Sequence, residues 1–241
     1  MTQSVVTKGE KLYEGKAKQI YATSDPSLVI QYFKDDATAF NGKKKGIISN
    51  KGVCNNTISS HIFSLLEKEG VKTHFVEKLS DREMLVKKVG IIPVEVVMRN
   101  VTAGSLSTRM GVPEGEQLPE PVLEFYYKND ELGDPMINKS HIRAFRLATD
   151  EEMATVEQLA FRVNKWLLGY FDRMGIRLVD YKLEFGRSPE GVLLADEISP
   201  DGCRLWDKAT GEKMDKDRFR RDLGMLTEVY EEMARRALAT V

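Results

Sequence analysis

Leu178-Val179-Asp180-Tyr181-Lys182-Leu183-Glu184-Phe185, followed by Leu193-Leu194-Ala195-Asp196-Glu197-Ile198-Ser199-Pro200-Asp201-Gly202-Cys203-Arg204, carries the densest chemistry in the chain. Period-two alternation makes the first stretch part of a strand, Arg177 to Phe185. It sets Asp180, Lys182 and Glu184 on one face and Tyr181, Leu183 and Phe185 on the other. An acid-base-acid face is costly to bury unless its charges meet a metal, a substrate or one another. A solvated face with a cross-strand ion pair is the plain alternative. A second strand, Val192 to Ile198, follows the connection Arg187-Ser188-Pro189-Glu190-Gly191. If the two form a hairpin, Asp196 approaches Glu184. Paired carboxylates on adjacent strands are what hard Mg²⁺ takes beside nucleotide phosphates. Asp201-Gly202 alone is an ordinary turn, and Arg204 alone an ordinary surface charge.

Upstream, Thr149 and Glu152 suit a capping box. They open a long helix whose Met153, Val156, Ala160, Val163, Leu167, Tyr170, Phe171 and Met174 recur at three- and four-residue intervals, with Gly175 as its stop. Trp166 lies near that stripe and reads as packing. Downstream, one last helix is expected from Asp217, burying Phe219, Leu223, Leu226, Tyr230, Met233 and Ala237. Towards the N-terminus, Leu12 to Thr23 and Leu28 to Phe33 read as β structure. Lys34 to Gly46 reads as a polar, turn-like loop. A helix carrying Ile58, Ile62, Leu65 and Leu66 on one face should stop at Gly70. Strands are expected over His74 to Leu79, Arg82 to Val89 and Val94 to Val101, and a loop over Asn129 to Ser140. Strands first, then strands mixed with helices, give an α+β protein with two lobes.

Two further stretches suit anions. Glu14-Gly15-Lys16-Ala17-Lys18 is a small-residue turn with two cations, through which backbone N–H groups and ammonium charges can reach a phosphate. Lysine-rich turns are also common for solubility alone. Arg99 ends a strand and Ala103-Gly104-Ser105 can begin a helix, which suits a phosphate, or a simple cap with a surface ion pair. Neither a Walker A loop nor a G-x-G-x-x-G is present, and no nucleophile-histidine signature appears. His61, His74 and His141 are scattered and read as surface or satisfied histidines.

Composition narrows the class. Across 241 residues, 36 Lys and Arg against 37 Asp and Glu leave a net charge of -1. No global basic field exists to hold nucleic acid, so anion binding must be local. No apolar run reaches the length of a signal core or a membrane span. Cys54 and Cys203 lack metal-ligand spacing, and a reduced cytoplasm is the expected compartment.

These pieces occur together, in order, in one family. The chain resembles the SAICAR synthetases through LYEGKAKQIY, DDATAFNGKKKG, IPVEVVMRNVTAGS, KNDELGDPMIN, LVDYKLEFG, LADEISPDGCRLWD and DKDRFR, which run from Leu12 to Arg220. The resemblance implies an α+β, two-lobed fold related to ATP-grasp enzymes and protein kinases, with antiparallel sheets and flanking helices. A β-rich ATP-binding lobe would cover residues 1–90, and an α+β lobe with the metal and ribotide sites residues 91–241. Lys16, Ala17 and Lys18 would hold ATP phosphates, Val86 and Ile91 would border the adenine, and Glu184 and Asp196 would bind Mg²⁺. Arg99, Ser105, Asp180, Lys182, Asp201, Arg204 and Arg220 would hold a carboxylated aminoimidazole ribotide (CAIR). Asp180 and Lys182 also stand as catalytic candidates, and the loop from Asp36 to Lys45 as the L-aspartate site. Cys203 stands where serine also fits the pattern, and no role attaches to it. A homodimer is implied as well. Two rivals use the same residues: a small-molecule kinase, and a non-catalytic nucleotide sensor that would not need the carboxylate pair.

Overall fold

The structure, a computed structural model, describes residues 6–39 and 42–240. Strands β1 (Lys8–Glu14), β2 (Lys18–Thr23), β3 (Leu28–Phe33), β4 (Asp36–Ala39) and β5 (Lys44–Ile47) precede helix α1 (Lys51–Lys68). Strands β6 (Phe75–Lys78), β7 (Glu83–Lys87), β8 (Gly90–Ile91) and β9 (Val94–Val101) lead to α2 (Gly104–Met110). Then come β10 (Gln117–Tyr127), β11 (Met136–Ile137), α3 (Lys139–Ala144) and α4 (Asp150–Arg173). The order ends with β12 (Ile176–Ser188), β13 (Gly191–Ala195), β14 (Cys203–Asp207), α5 (Asp217–Arg220) and α6 (Leu226–Leu238).

The protein is a mixed α+β fold built on antiparallel sheets. One sheet runs β1-β2-β3-β7-β6, and the other runs β11-β10-β9-β12-β13 with β14 and β8 paired to β12. β12 changes neighbours along its length. Its first half lies between β14 and β9, and its second half pairs with β13 and β8. Asp180, Lys182 and Glu184 therefore sit at the place where the strand passes from one set of partners to the other.

A continuous core joins the two sheets. Val29, Phe33, Met84 and Val86 of the first sheet pack in one cluster with Val96, Met98, Leu183 and Phe185 of the second. The apolar stripe of α4 and Ile58, Ile62 and Leu66 of α1 complete it. The expected capping box is present: Thr149 Oγ1 accepts the Glu152 N–H at 3.1 Å, and Glu152 accepts the Thr149 N–H at 2.9 Å. Trp166 stacks on Tyr170 with ring centroids 5.0 Å apart and leans on this core.

Four expectations are corrected. The polar segment after Phe33 is not a loop: Asp36–Ala39 and Lys44–Ile47 pair as a hairpin, with Phe40 and Asn41 outside the described residues. The segment 129–140 contains β11, a 3-10 turn at Asp130–Leu132 and the start of α3, which Asn138 caps. Strand β13 ends at Ala195, because Asp196 turns into the left-handed region with φ 65°. The last helix is two helices, because Asp222, Gly224 and Met225 all take positive φ and interrupt the ladder. Leu223 falls in that break and is exposed rather than buried.

Candidate active site

Two adjoining cavities open where β12 meets the β1–β2 turn. The larger, about 570 Å³, is walled by the turn residues Gly15 to Lys18 and floored by Ile20, Val29, Val86, Val89 and Ile91. Its polar end carries Lys128, Lys182, Glu184 and Asp196. Lys16, Ala17, Lys18, Val86, Ile91, Glu184 and Asp196 thus line one cavity, although they come from segments far apart in the chain. The turn is closed by the Gly15 N–H donating to the Lys18 carbonyl at 2.8 Å.

Lysines and carboxylates interlock at the polar end. Lys18 pairs with Asp196 and lies 3.0 Å from Glu197. Lys182 pairs with Glu184, lies 3.0 Å from Glu95, and reaches Asp196 at 3.7 Å. Lys128 donates to Glu184 at 2.9 Å. Burial opposes the charge on Lys182, but Glu184, Asp196 and Glu95 outweigh it and hold the ammonium well above the ordinary lysine value. Burial likewise works against Asp196, yet Lys18 and Lys182 keep its carboxylate far below the usual range. No three His, Cys, Asp or Glu side chains converge as a metal cage among the described residues. The donor set nevertheless fits a Mg²⁺ shared with phosphates. Glu184 pairs in register with Ala195, next to Asp196, so two hard oxygen donors face one cavity. A Mg²⁺ held there would take water and substrate oxygens as its other ligands.

The second cavity, about 370 Å³, is lined by Arg99, Asp180, Lys182, Asp201, Arg204 and Arg220, together with Thr38, Ala39 and Gly42 of the β4–β5 hairpin. Register explains the arginine corner: Asp180 pairs with Arg99 of β9 and with Arg204 of β14. Arg99 donates to Asp180 at 2.8 Å, to Glu124 at 2.6 Å, and to the Ser105 hydroxyl at 2.9 Å. Arg204 bridges Asp180 and Asp217, and Arg220 holds the other oxygen of Asp217. Ser105 does not itself line the cavity; it stands behind Arg99. Gly104 is required here, since its φ is +52° and an added Cβ would meet the Arg204 guanidinium at 2.6–3.0 Å.

The cavities share a wall made of Lys16, Asp134, Lys182, Asp201, Gly202 and Lys216. Asp201 is anchored from below: fully buried Lys51 reaches it at 2.7 Å, and the Tyr230 hydroxyl donates at 2.6 Å. Sequence reading missed Lys51, Glu95, Glu124, Lys128 and Lys216. Glu95, Lys128 and Lys216 do fall in the IPVEVVMRNVTAGS, KNDELGDPMIN and DKDRFR stretches, which is the one signal that could have raised them.

His74, expected to be a surface or satisfied histidine, is instead buried in the wall of the larger cavity, within reach of the Asp196 and Lys18 charges. Both ring nitrogens are buried with no hydrogen-bond partner among the described residues, and burial pushes the imidazole down from 6.5 to about 3. The unfolded chain therefore protonates this histidine before the fold does. Its contribution to stability is complete above pH 6.5 and declines as pH falls toward 3. Between roughly pH 7 and pH 5, unfolding should become about 2 kcal/mol easier on this account. Urea titrations across that window should show a flatter slope for His74→Gln. Equal slopes would remove His74 as the cause.

Comparison with known proteins shows the family. A profile of the SAICAR synthetase family matches residues 11–237. The phosphoribosylaminoimidazole-succinocarboxamide synthase of Magnetococcus marinus is 60% identical over 232 residues, 95% of this chain and 96% of the relative. The crystal structure of the synthase from Ehrlichia chaffeensis superposes with a TM-score of 0.93 at 50% identity, covering 95% of this chain and 99% of that one. A SAICAR synthetase solved in complex with ADP superposes with a TM-score of 0.91 at 48% identity, covering 95% and 98%. The chain belongs to the SAICAR synthetase family of purine biosynthesis and is an ATP-dependent ligase.

Proposed function

We propose that the protein joins L-aspartate to the carboxylate of CAIR, converting ATP to ADP and phosphate and giving SAICAR. The observation that carries this reading is the shared wall: a lysine- and carboxylate-rich cavity with an apolar floor meets an arginine-lined cavity at Lys182. The first suits a nucleotide and the second a phosphorylated ribotide. Residues 1–90 would form the ATP-binding lobe and residues 91–241 the ribotide lobe, in an arrangement akin to ATP-grasp enzymes and protein kinases. A cytoplasmic homodimer completes the reading.

A carboxylate does not accept an amine at neutral pH, because oxide would have to leave. Transfer of the γ-phosphoryl group to it gives an acyl phosphate, from which phosphate can leave. Most of the protein's contribution is orientation and neutralisation of charge. Lys16 and Lys18 hold phosphates from the β1–β2 turn, while Val86 and Ile91 enclose the base. Lys182 holds the ribotide carboxylate next to the γ-phosphate. Arg99, Arg204 and Arg220, with Ser105 behind Arg99, take the ribotide phosphate; Asp180 fixes Arg99 and Arg204, and Asp201 holds the sugar side. The β4–β5 hairpin supplies the aspartate site. Glu184 and Asp196 would hold Mg²⁺, which when bound neutralises phosphate charge during the transfer. The test is an incubation in which ADP appears only when CAIR and aspartate are both present. A kinase would not require aspartate, and a sensor would turn nothing over.

A further inference from the structure

Three lysines stand on the wall common to the two cavities, and they differ in how their charge is held. Lys16 donates to Asp130 at 2.7 Å, and Lys182 is held by Glu95 and Glu184. Lys216 has one carboxylate within 4 Å among the described residues, Asp201 at 3.5 Å, and makes no hydrogen bond to it. Both Asp201 oxygens are already taken, one by Lys51 and the other by the Tyr230 hydroxyl. The Lys216 backbone is held by an N–H bond to the Pro200 carbonyl at 3.1 Å, and its side chain lines both cavities.

On the reading given above, an amine must lose a proton at this wall before it can attack. We propose that Lys216 is the base that takes that proton from the ammonium of the incoming aspartate. Among the groups around it, Lys51 from α1 and Arg220 from α5 disfavour its charge. Asp201 and Glu197 from the loop after β13 favour it, while Tyr230 from α6 spends its hydroxyl on Asp201. Burial is the largest influence, and with the two cations it outweighs the acids and lowers the amine below the ordinary lysine range. A neutral amine is thereby more accessible here than at Lys18 or Lys182, whose charges are stabilised.

The step balances. The aspartate ammonium gives one proton to neutral Lys216, and its freed lone pair forms the C–N bond. The C–O bond to phosphate breaks, and the second nitrogen proton leaves with the departing phosphate. Lys216 returns its proton to water after product release.

The test compares Lys216→Arg and Lys216→Gln with the intact enzyme, using circular dichroism and calorimetry of ATP and CAIR binding as controls. Arginine keeps the cation but does not give up its proton. Lys216→Arg should retain CAIR and ATP binding while kcat falls by about 10²–10⁴-fold. In both variants kcat/KM for aspartate should keep rising about tenfold per pH unit, because only the free amine reacts, whereas the wild-type profile levels off earlier. Wild-type kcat in Lys216→Arg would overturn the assignment, as would a loss confined to CAIR affinity, since either points to charge alone. A wild-type enzyme that formed no ADP with CAIR and aspartate would overturn the ligase reading as well, and that result is separate from the variant comparison.

Discussion

Asp196→Asn and Glu184→Gln are each expected to reduce turnover by about a thousandfold or more, which corresponds to roughly 4 kcal/mol of transition-state stabilisation. The fold should survive both changes. Asp196 sits at φ 65°, and asparagine tolerates the left-handed region as well as aspartate does. In Glu184→Gln the new amide oxygen can still accept from Lys128, which donates to the native glutamate at 2.9 Å. What each variant loses is one anionic oxygen that would ligate Mg²⁺ beside the phosphates, and with it the charge that balances Lys18 or Lys182. Calorimetry should therefore show weaker Mg·ATP binding alongside the lost turnover. Near-normal activity in both variants would remove these carboxylates as metal ligands.

Arg204→Ala should act on the other cavity. Arg204 bridges Asp180 and Asp217, which are 3% and 1% exposed, so its removal strips a cation from two buried acids. Truncating one member of such a pair costs about 2–5 kcal/mol. In CAIR affinity that is roughly a thirty- to several-thousand-fold loss. ATP affinity should change much less, since Arg204 lines the smaller cavity and not the larger one. The opposite pattern, with ATP weakened and CAIR spared, would place the two substrates in the wrong cavities. Arg204→Lys should not preserve the site, because a point ammonium does not reproduce the guanidinium fork that spans Asp180 and Asp217.

The site was legible in the sequence to the extent that its residues lie on regularly patterned elements. Alternation along β12 put Asp180, Lys182 and Glu184 on one face, and the hairpin with β13 brought Asp196 alongside. What stayed hidden was carried by residues whose neighbours are remote in sequence. Lys51 is a fully buried lysine on a helix, a position its type rarely takes, and only its pairing with Asp201 explains it. Glu124 lies on β10, whose Pro119 and Pro121 argue against a strand. β10 nevertheless pairs regularly with β9 from Val122 to Tyr127, beyond both prolines. The apolar spacing of Phe219, Leu226 and Tyr230 suggested one helix, but the left-handed backbone at Asp222, Gly224 and Met225 breaks it. That break sets α5 apart, so that Lys216 and Arg220 line the smaller cavity while Tyr230 of α6 reaches Asp201 from behind.

The fate of one oxygen atom tests activation of the carboxylate most directly. The complete incubation can be run with CAIR labelled with ¹⁸O in its carboxylate, and the released phosphate read by mass. If ATP activates that carboxylate for displacement by the aspartate amine, each turnover must deliver phosphate carrying one ¹⁸O atom, and none should appear without aspartate. Unlabelled phosphate from the complete mixture would contradict activation of the carboxylate, and with it the proposed joining of CAIR to aspartate.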